Sequence, residues 1–183
     1  MRSFPLGQEM QHSTICATLN GRRNQGRTAR MSSMSQANPI RLFVTHAWEH
    51  SDDYLRVFEY LESARNFYYR NSSTPEQRPT GDKEVLREDL RRQIAPAEAV
   101  IALASLYDKQ ADLVTFQLLF TQACKKPVIL LKSFGVQHPV PKALAELASE
   151  IVDWDERALV DSVRRLARHE DTARYDTVEF KLD

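Results

Sequence analysis

The stretch IRLFVTHAWEHSDDY, from Ile40 to Tyr54, decides how the rest of the chain is read. Its first part, Ile40–Thr45, is a short apolar run of the kind that forms a strand. A hydroxyl (Thr45), an imidazole (His46) and an indole (Trp48) follow, then the acids Glu49, Asp52 and Asp53. Ser51 stands where a helix needs an N-cap, ahead of the apolar positions Tyr54, Leu55, Val57, Phe58 and Leu61. In an open α/β sheet, ligands bind outside the carboxyl ends of the strands. Polar and aromatic groups between this strand and its helix are therefore candidates for a site.

Downstream, strand and helix signals alternate. Phe67–Tyr69 reads as a brief aromatic strand, and Asn71–Gly81, with Pro75 and Pro79, as a long loop. Val85, Leu86, Leu90 and Ile94 mark a second helix that Pro96 ends. Ala99–Ala104 is continuously apolar, as in a strand covered on both faces. Ala111–Cys124 is a strongly apolar helix, Val128–Leu131 a buried strand, and Pro141–Ser149 a short helix. Ile151–Trp154 is a last strand, after which Asp155 caps a helix bearing Leu159, Val160, Val163 and Leu166. The alternation predicts an α/β protein with a flavodoxin-like, doubly wound, five-stranded parallel sheet. The domain is expected over residues 39–169, with 170–183 a polar tail or a late strand at Thr177–Leu182.

The formal net charge is zero, so nothing global points to nucleic acid. No run approaches the roughly 20 apolar residues of a membrane helix. The zero conceals an asymmetry: residues 1–38 carry five arginines against Glu9, which is +4, leaving −4 for the rest. This segment has no periodicity and reads as a disordered basic extension, or as sequence ahead of a true start at Met31 or Met34. It is Arg- and Ser-rich like a transit peptide but poorly amphipathic, and it has no secretory apolar core. Cys16 and Cys124 alone make neither a disulfide framework nor a metal cluster. Cys124 is expected as a reduced, buried thiol, which suits a cytoplasmic protein.

From about residue 40 to 168 the chain resembles the TIR-like domain of the ThsB family of Thoeris antiphage systems. The resemblance rests on LFVTHAWEHSDDY (42–54), the aromatic strand and Pro-containing loop (67–79) and VIALASLY (100–107). ACKKPVILL (123–131) and EIVDWD (150–155) extend it. It implies a flavodoxin-like fold and a cytoplasmic protein of antiviral defence. Active members cleave the nicotinamide–ribose bond of NAD, and the ADP-ribose-type signal that results activates a Thoeris-type effector. NAD is thus implied as substrate or ligand, with no resident cofactor. The family's catalytic glutamate lies in a pattern like W-I-x-x-E-I, which falls here on LVTFQL (113–118). The glutamate position is Gln117 and the tryptophan position Leu113.

A glutamine keeps the shape and hydrogen bonding of glutamate without its charge. N-glycosidic cleavage builds oxocarbenium character on the ribose, which a carboxylate stabilises. Losing a preorganised electrostatic stabiliser costs on the order of a hundredfold in rate. Natural loss of catalysis, an engineered inactive variant, or substitution by Glu49, Asp52 or Asp53 each accounts for Gln117. The expected catalytic positions are Gln117 and His46. The expected nucleotide contacts are Thr45, His46, Trp48 and Tyr69, with Trp48 stacking on a base and Thr45 meeting phosphate or ribose. Arg70 and Arg78 are further phosphate candidates.

HAWEH (46–50) matches the inverted zinc-protease motif H-x-x-E-H. That chemistry needs both imidazoles on one helix face, whereas here the first ends a strand, so no metal is expected. No G-x-G-x-x-G, P-loop or G-x-S-x-G occurs, which argues against dehydrogenases, NTPases and serine hydrolases. The helix over 111–123 carries apolar residues around more than one face, which predicts burial on two sides or a self-association surface.

Overall fold

The computed structural model describes residues 34–135 and 139–170. The expected extension lies outside the described residues up to 33, as do Cys16 and the expected late strand at Thr177–Leu182. The sheet is five-stranded and all parallel. Its strands are β1 (Ile40–Val44), β2 (Tyr69–Asn71), β3 (Ala99–Leu103), β4 (Val128–Leu131) and β5 (Glu150–Val152). Their order is β2-β1-β3-β4-β5, the flavodoxin-like winding. The helices are α1 (Asp52–Ser63), α2 (Lys83–Ile94), α3 (Ala104–Ala123), α4 (Lys142–Ala145) and α5 (Glu156–Arg168).

Every residue of β3 and of β4 is buried, so residues pointing to either side of the sheet are covered. That burial explains the unbroken apolar runs, since no strand face meets water. α1 packs against α5 and α2 against α3. Ser51 caps α1 by accepting from the Tyr54 N–H, and Asp155 caps α5 by accepting from that of Ala158. Asp82 accepts from Glu84 and Val85 N–H groups and starts α2 directly after the loop. Gly81 (φ 155°) allows that entry, because a Cβ there would lie 2.9 Å from the Val85 side chain. Lys126 closes the other end of α2, its ammonium donating to the Ala95 and Ala97 carbonyls.

The structure shifts several boundaries. The aromatic strand lies at Tyr69–Asn71 rather than Phe67–Tyr69, because Phe67 turns into the core ahead of the pairing. α3 begins at Ala104, immediately after β3, and breaks at Gln110 (φ −139°, ψ 50°) before resuming over the expected span. The helix expected over Pro141–Ser149 is one turn long. The packed region reaches back to Met34, whose N–H donates to Glu170 and whose sulfur accepts from the Tyr68 N–H. Cys124 is not a reduced buried thiol: it caps the end of α3, is half-buried, and is disulfide-bonded. Its side chain therefore lends no support to a cytoplasmic location. No helix among the described residues is long and apolar enough to cross a membrane.

Candidate functional site

The chain leaves β1 for β2 on one side and later returns to β3 on the other, which makes the carboxyl end of β1 the topological switch point. The sequence candidates Thr45, His46 and Trp48 follow that strand end. Thr45 is fully buried, and its hydroxyl accepts the Leu103 N–H at 3.0 Å. It staples β1 to β3 just beyond their pairing. Gln117 is also fully buried. Its amide grips the His46 peptide from both sides, Oε1 accepting from the His46 N–H at 3.3 Å and Nε2 donating to the His46 carbonyl at 3.1 Å. Nε2 also reaches the Leu113 carbonyl at 3.2 Å. An ionised glutamate there would have no proton for either carbonyl and would bury a charge met only by the His46 N–H.

His46 is 2% exposed and spends both ring nitrogens on the protein. Nδ1 accepts the Trp48 N–H at 3.1 Å, so the ring proton sits on Nε2, which pairs with Gln93 Oε1 at 2.9 Å. The same Gln93 oxygen accepts the Thr74 N–H at 2.8 Å. Gln93 Nε2 donates to Asp89 at 2.7 Å, and the Trp48 indole N–H donates to that Asp89 oxygen at 3.2 Å. These four links, three between side chains and one from the Trp48 backbone N–H, run from Trp48 through His46, Gln93 and Asp89 back to Trp48. Burial holds the His46 pKa below its ordinary 6.5, against the opposing pull of the Gln93 bond and the Asp89 and Glu76 charges. Trp48 itself has φ 56°, a left-handed conformation that a bulky residue rarely adopts. Such backbone costs about 1–3 kcal/mol and persists only where surroundings enforce it.

Trp48 forms one wall of a cleft of about 270 Å³ between α2 and α3. Phe116 and Leu113 line it from α3, Leu86, Lys83 and Arg87 from α2, and Arg78 from the loop after β2. The guanidinium of Arg78 lies 5.8 Å from the Trp48 ring, and that of Arg87 5.2 Å from the Phe116 ring. Three cations, Arg78, Lys83 and Arg87, line it against one carboxylate, Asp112, a formal +2 for the lining, with Glu84 beside it ion-paired to Arg87 at 3.8 Å. This combination of cations and aromatic walls suits a planar group attached to an anion. No protein-family model and no curated protein matches the sequence.

Of the residues singled out in the sequence, Trp48 and Arg78 reach this cleft. Thr45, His46 and Gln117 lie behind it and set its shape. Tyr69 stands apart: its ring stacks between Phe58 and Phe67, its hydroxyl donates to Glu62, and burial with that acid raises its pKa. Arg70 is exposed on β2. His50 faces Glu76 at 3.8 Å, whereas the His46 ring nitrogens are taken by Trp48 and Gln93, so the imidazoles of HAWEH make different polar contacts although both rings meet Tyr54 edge-on. Glu49, Asp52 and Asp53 line a separate cleft of about 240 Å³, shared with Ser105, Lys109 and Phe134.

Sequence reasoning missed Lys83, Arg87, Asp112 and Phe116 as cleft residues, and Gln93 and Asp89 as the hidden support of Trp48. Arg87 and Phe116 carried a signal, a cation and an aromatic on the two helices flanking β3. Gln93 carried none, because a glutamine near a helix end is ordinary surface composition. On α3, Val114 and Leu118 are buried in the core, while Leu113 and Phe116 are half-buried along the cleft. Leu119, 51% exposed, is the large apolar residue α3 leaves to solvent.

Proposed function

We propose that this chain is a TIR-like module of the Thoeris type that holds NAD or an NAD-derived nucleotide in the Trp48–Phe116 cleft without cleaving it. The observation that carries the reading is the +2 cleft with two aromatic walls at the switch point of a flavodoxin-like sheet. Arg78, Lys83 and Arg87 would take phosphate oxygens, and Trp48 a base. The volume is near the lower bound of small-molecule sites, roughly 300 Å³, which accommodates one nucleotide half with the remainder outside. Silence at the glycosidic bond is supported by the position of Gln117. Its amide is committed to the His46 peptide, so no carboxylate stands where the resemblance requires one. In a defence system such a module would retain or sense a nucleotide signal destined for an effector.

The test is calorimetric titration of NAD and of ADP-ribose, with products followed by chromatography and mass spectrometry. Saturable binding is expected, weakened in Arg87→Ala and unchanged in Lys109→Ala, with no nicotinamide released. Nicotinamide release by the unaltered chain would restore the enzyme reading. Absence of binding by either ligand would remove the nucleotide reading.

A further inference from the structure

We propose that His46 is the positioning residue of a pH-released latch: its neutral imidazole closes the hydrogen-bonded ring that holds Trp48 over the cleft, and its protonation releases the indole. The geometry requires this dependence. Nδ1 serves as acceptor for the Trp48 N–H at 3.1 Å, while Nε2 donates to Gln93. A proton on Nδ1 turns that acceptor into a donor facing a donor. Gln93 cannot relieve the conflict, because its oxygen already receives the Thr74 N–H and its amide nitrogen is bound to Asp89. Trp48 is the weak point of the ring, since its left-handed backbone (φ 56°) relaxes once nothing enforces it. Relaxation carries the indole N–H away from Asp89 and removes the aromatic wall beside Arg78.

Charged and aromatic groups surround the imidazole on every side. Asp89 and Gln93 face it from α2, Glu76 from the loop after β2, and His50 from the loop after β1. The Tyr54 ring of α1, the Phe43 ring of β1 and the Trp48 ring complete the cage. The two carboxylates favour the cation, and burial opposes it. Release therefore belongs below pH 6.5, where an exposed histidine would already be charging. A fall in nucleotide affinity over the same range would rest on the nucleotide reading; the latch itself needs no ligand.

The experiment uses the full chain with Trp154→Phe, which leaves Trp48 as the only tryptophan of the original two. Emission wavelength and acrylamide quenching are followed from pH 8 downward without ligand, with far-UV circular dichroism monitoring the fold. A red shift and increased quenching are expected below pH 6.5, with the slope of a single titration. In His46→Asn the profile becomes flat, because the amide oxygen still accepts the Trp48 N–H but takes no proton. In Asp89→Asn the midpoint moves to lower pH, because a charge favouring the cation is gone. The same transition in His46→Asn overturns the latch, as does a flat profile in the unaltered ring down to the pH of unfolding. If His46→Asn does not fold, an unchanged or raised midpoint in Asp89→Asn overturns it. A latch that titrates in a protein that binds no nucleotide would sink the nucleotide reading alone.

Discussion

Two clefts of similar volume, about 270 and 240 Å³, flank the loop after β1. Neighbouring residues serve both, Trp48 of the loop walling the first, and Glu49 and Ser51 of the loop with Asp52 and Asp53 of the first turn of α1 walling the second. Their charges are opposite. Arg78, Lys83 and Arg87 against Asp112 give +2, whereas Glu49, Asp52 and Asp53 against Lys109 give −2. Size does not separate the two clefts here; charge and the support behind the wall do. Trp48 is held by a closed ring through buried His46 and Gln93 and half-buried Asp89. The acidic cleft has Phe134, 41% exposed, covered by the Arg56 guanidinium at 3.5 Å. A neutral whole-chain charge hides both fields, because a sum over residues discards position.

The largest expected effect tests the support. Gln117→Glu should destabilise the fold by about 3–5 kcal/mol, the usual consequence of an unpaired buried charge, seen as a lower urea midpoint. It should gain no NAD turnover, and a stable variant that releases nicotinamide would break the distinction between scaffold and site. Next is charge. Arg87→Ala should weaken NAD or ADP-ribose binding by about 1.5–3 kcal/mol, the worth of a hydrogen bond to a charged group, while Lys109→Ala leaves the titration unchanged. Equal losses in both variants would mean the ligand straddles the loop. A smaller effect is screening: binding in the basic cleft should weaken steadily as salt is raised, since the Debye length shrinks to about 8 Å at physiological strength. The smallest concerns stability against pH. The folded pKa of His46 is lowered, so the unfolded chain takes its proton first as pH falls below 6.5. Stability present above that pH is lost on acidification, and His46→Asn should flatten this part of the urea-midpoint profile.

The sheet was legible because its central strands are buried on both faces. Ala99–Leu103 and Val128–Leu131 admit no polar interruption, Ile40–Val44 admits only the exposed Arg41, and their ends appear in the sequence within a residue or so. Ser51 and Asp155 were legible because capping is a local matter of one side chain and a nearby N–H. β2 was displaced because Phe67, Tyr68 and Tyr69 offer no alternation from which to choose a register. The candidate site was legible only in its location. Thr45, His46 and Gln117 have the chemistry of ligand groups, and the sequence does not record that backbone partners consume it. Those partners lie far along the chain, 58 residues for Thr45 and Leu103 and 71 for Gln117 and His46. Phe116 and Arg87 enter the cleft through the packing of α3 on α2, a relation that no local pattern encodes.

The two-way grip of Gln117 on the His46 peptide also bears on how this chain can change over generations. A glutamine codon becomes a glutamate codon by one base substitution, so the distance to the residue expected of an active family member is minimal in the gene. In the molecule the same step removes the donor that faces the His46 and Leu113 carbonyls. A lineage taking it would first have to rebuild the neighbourhood of β1, for instance by giving those carbonyls another donor. The substitution that is easiest to make is thus among the hardest to keep, and its own partners hold the amide at position 117 in place.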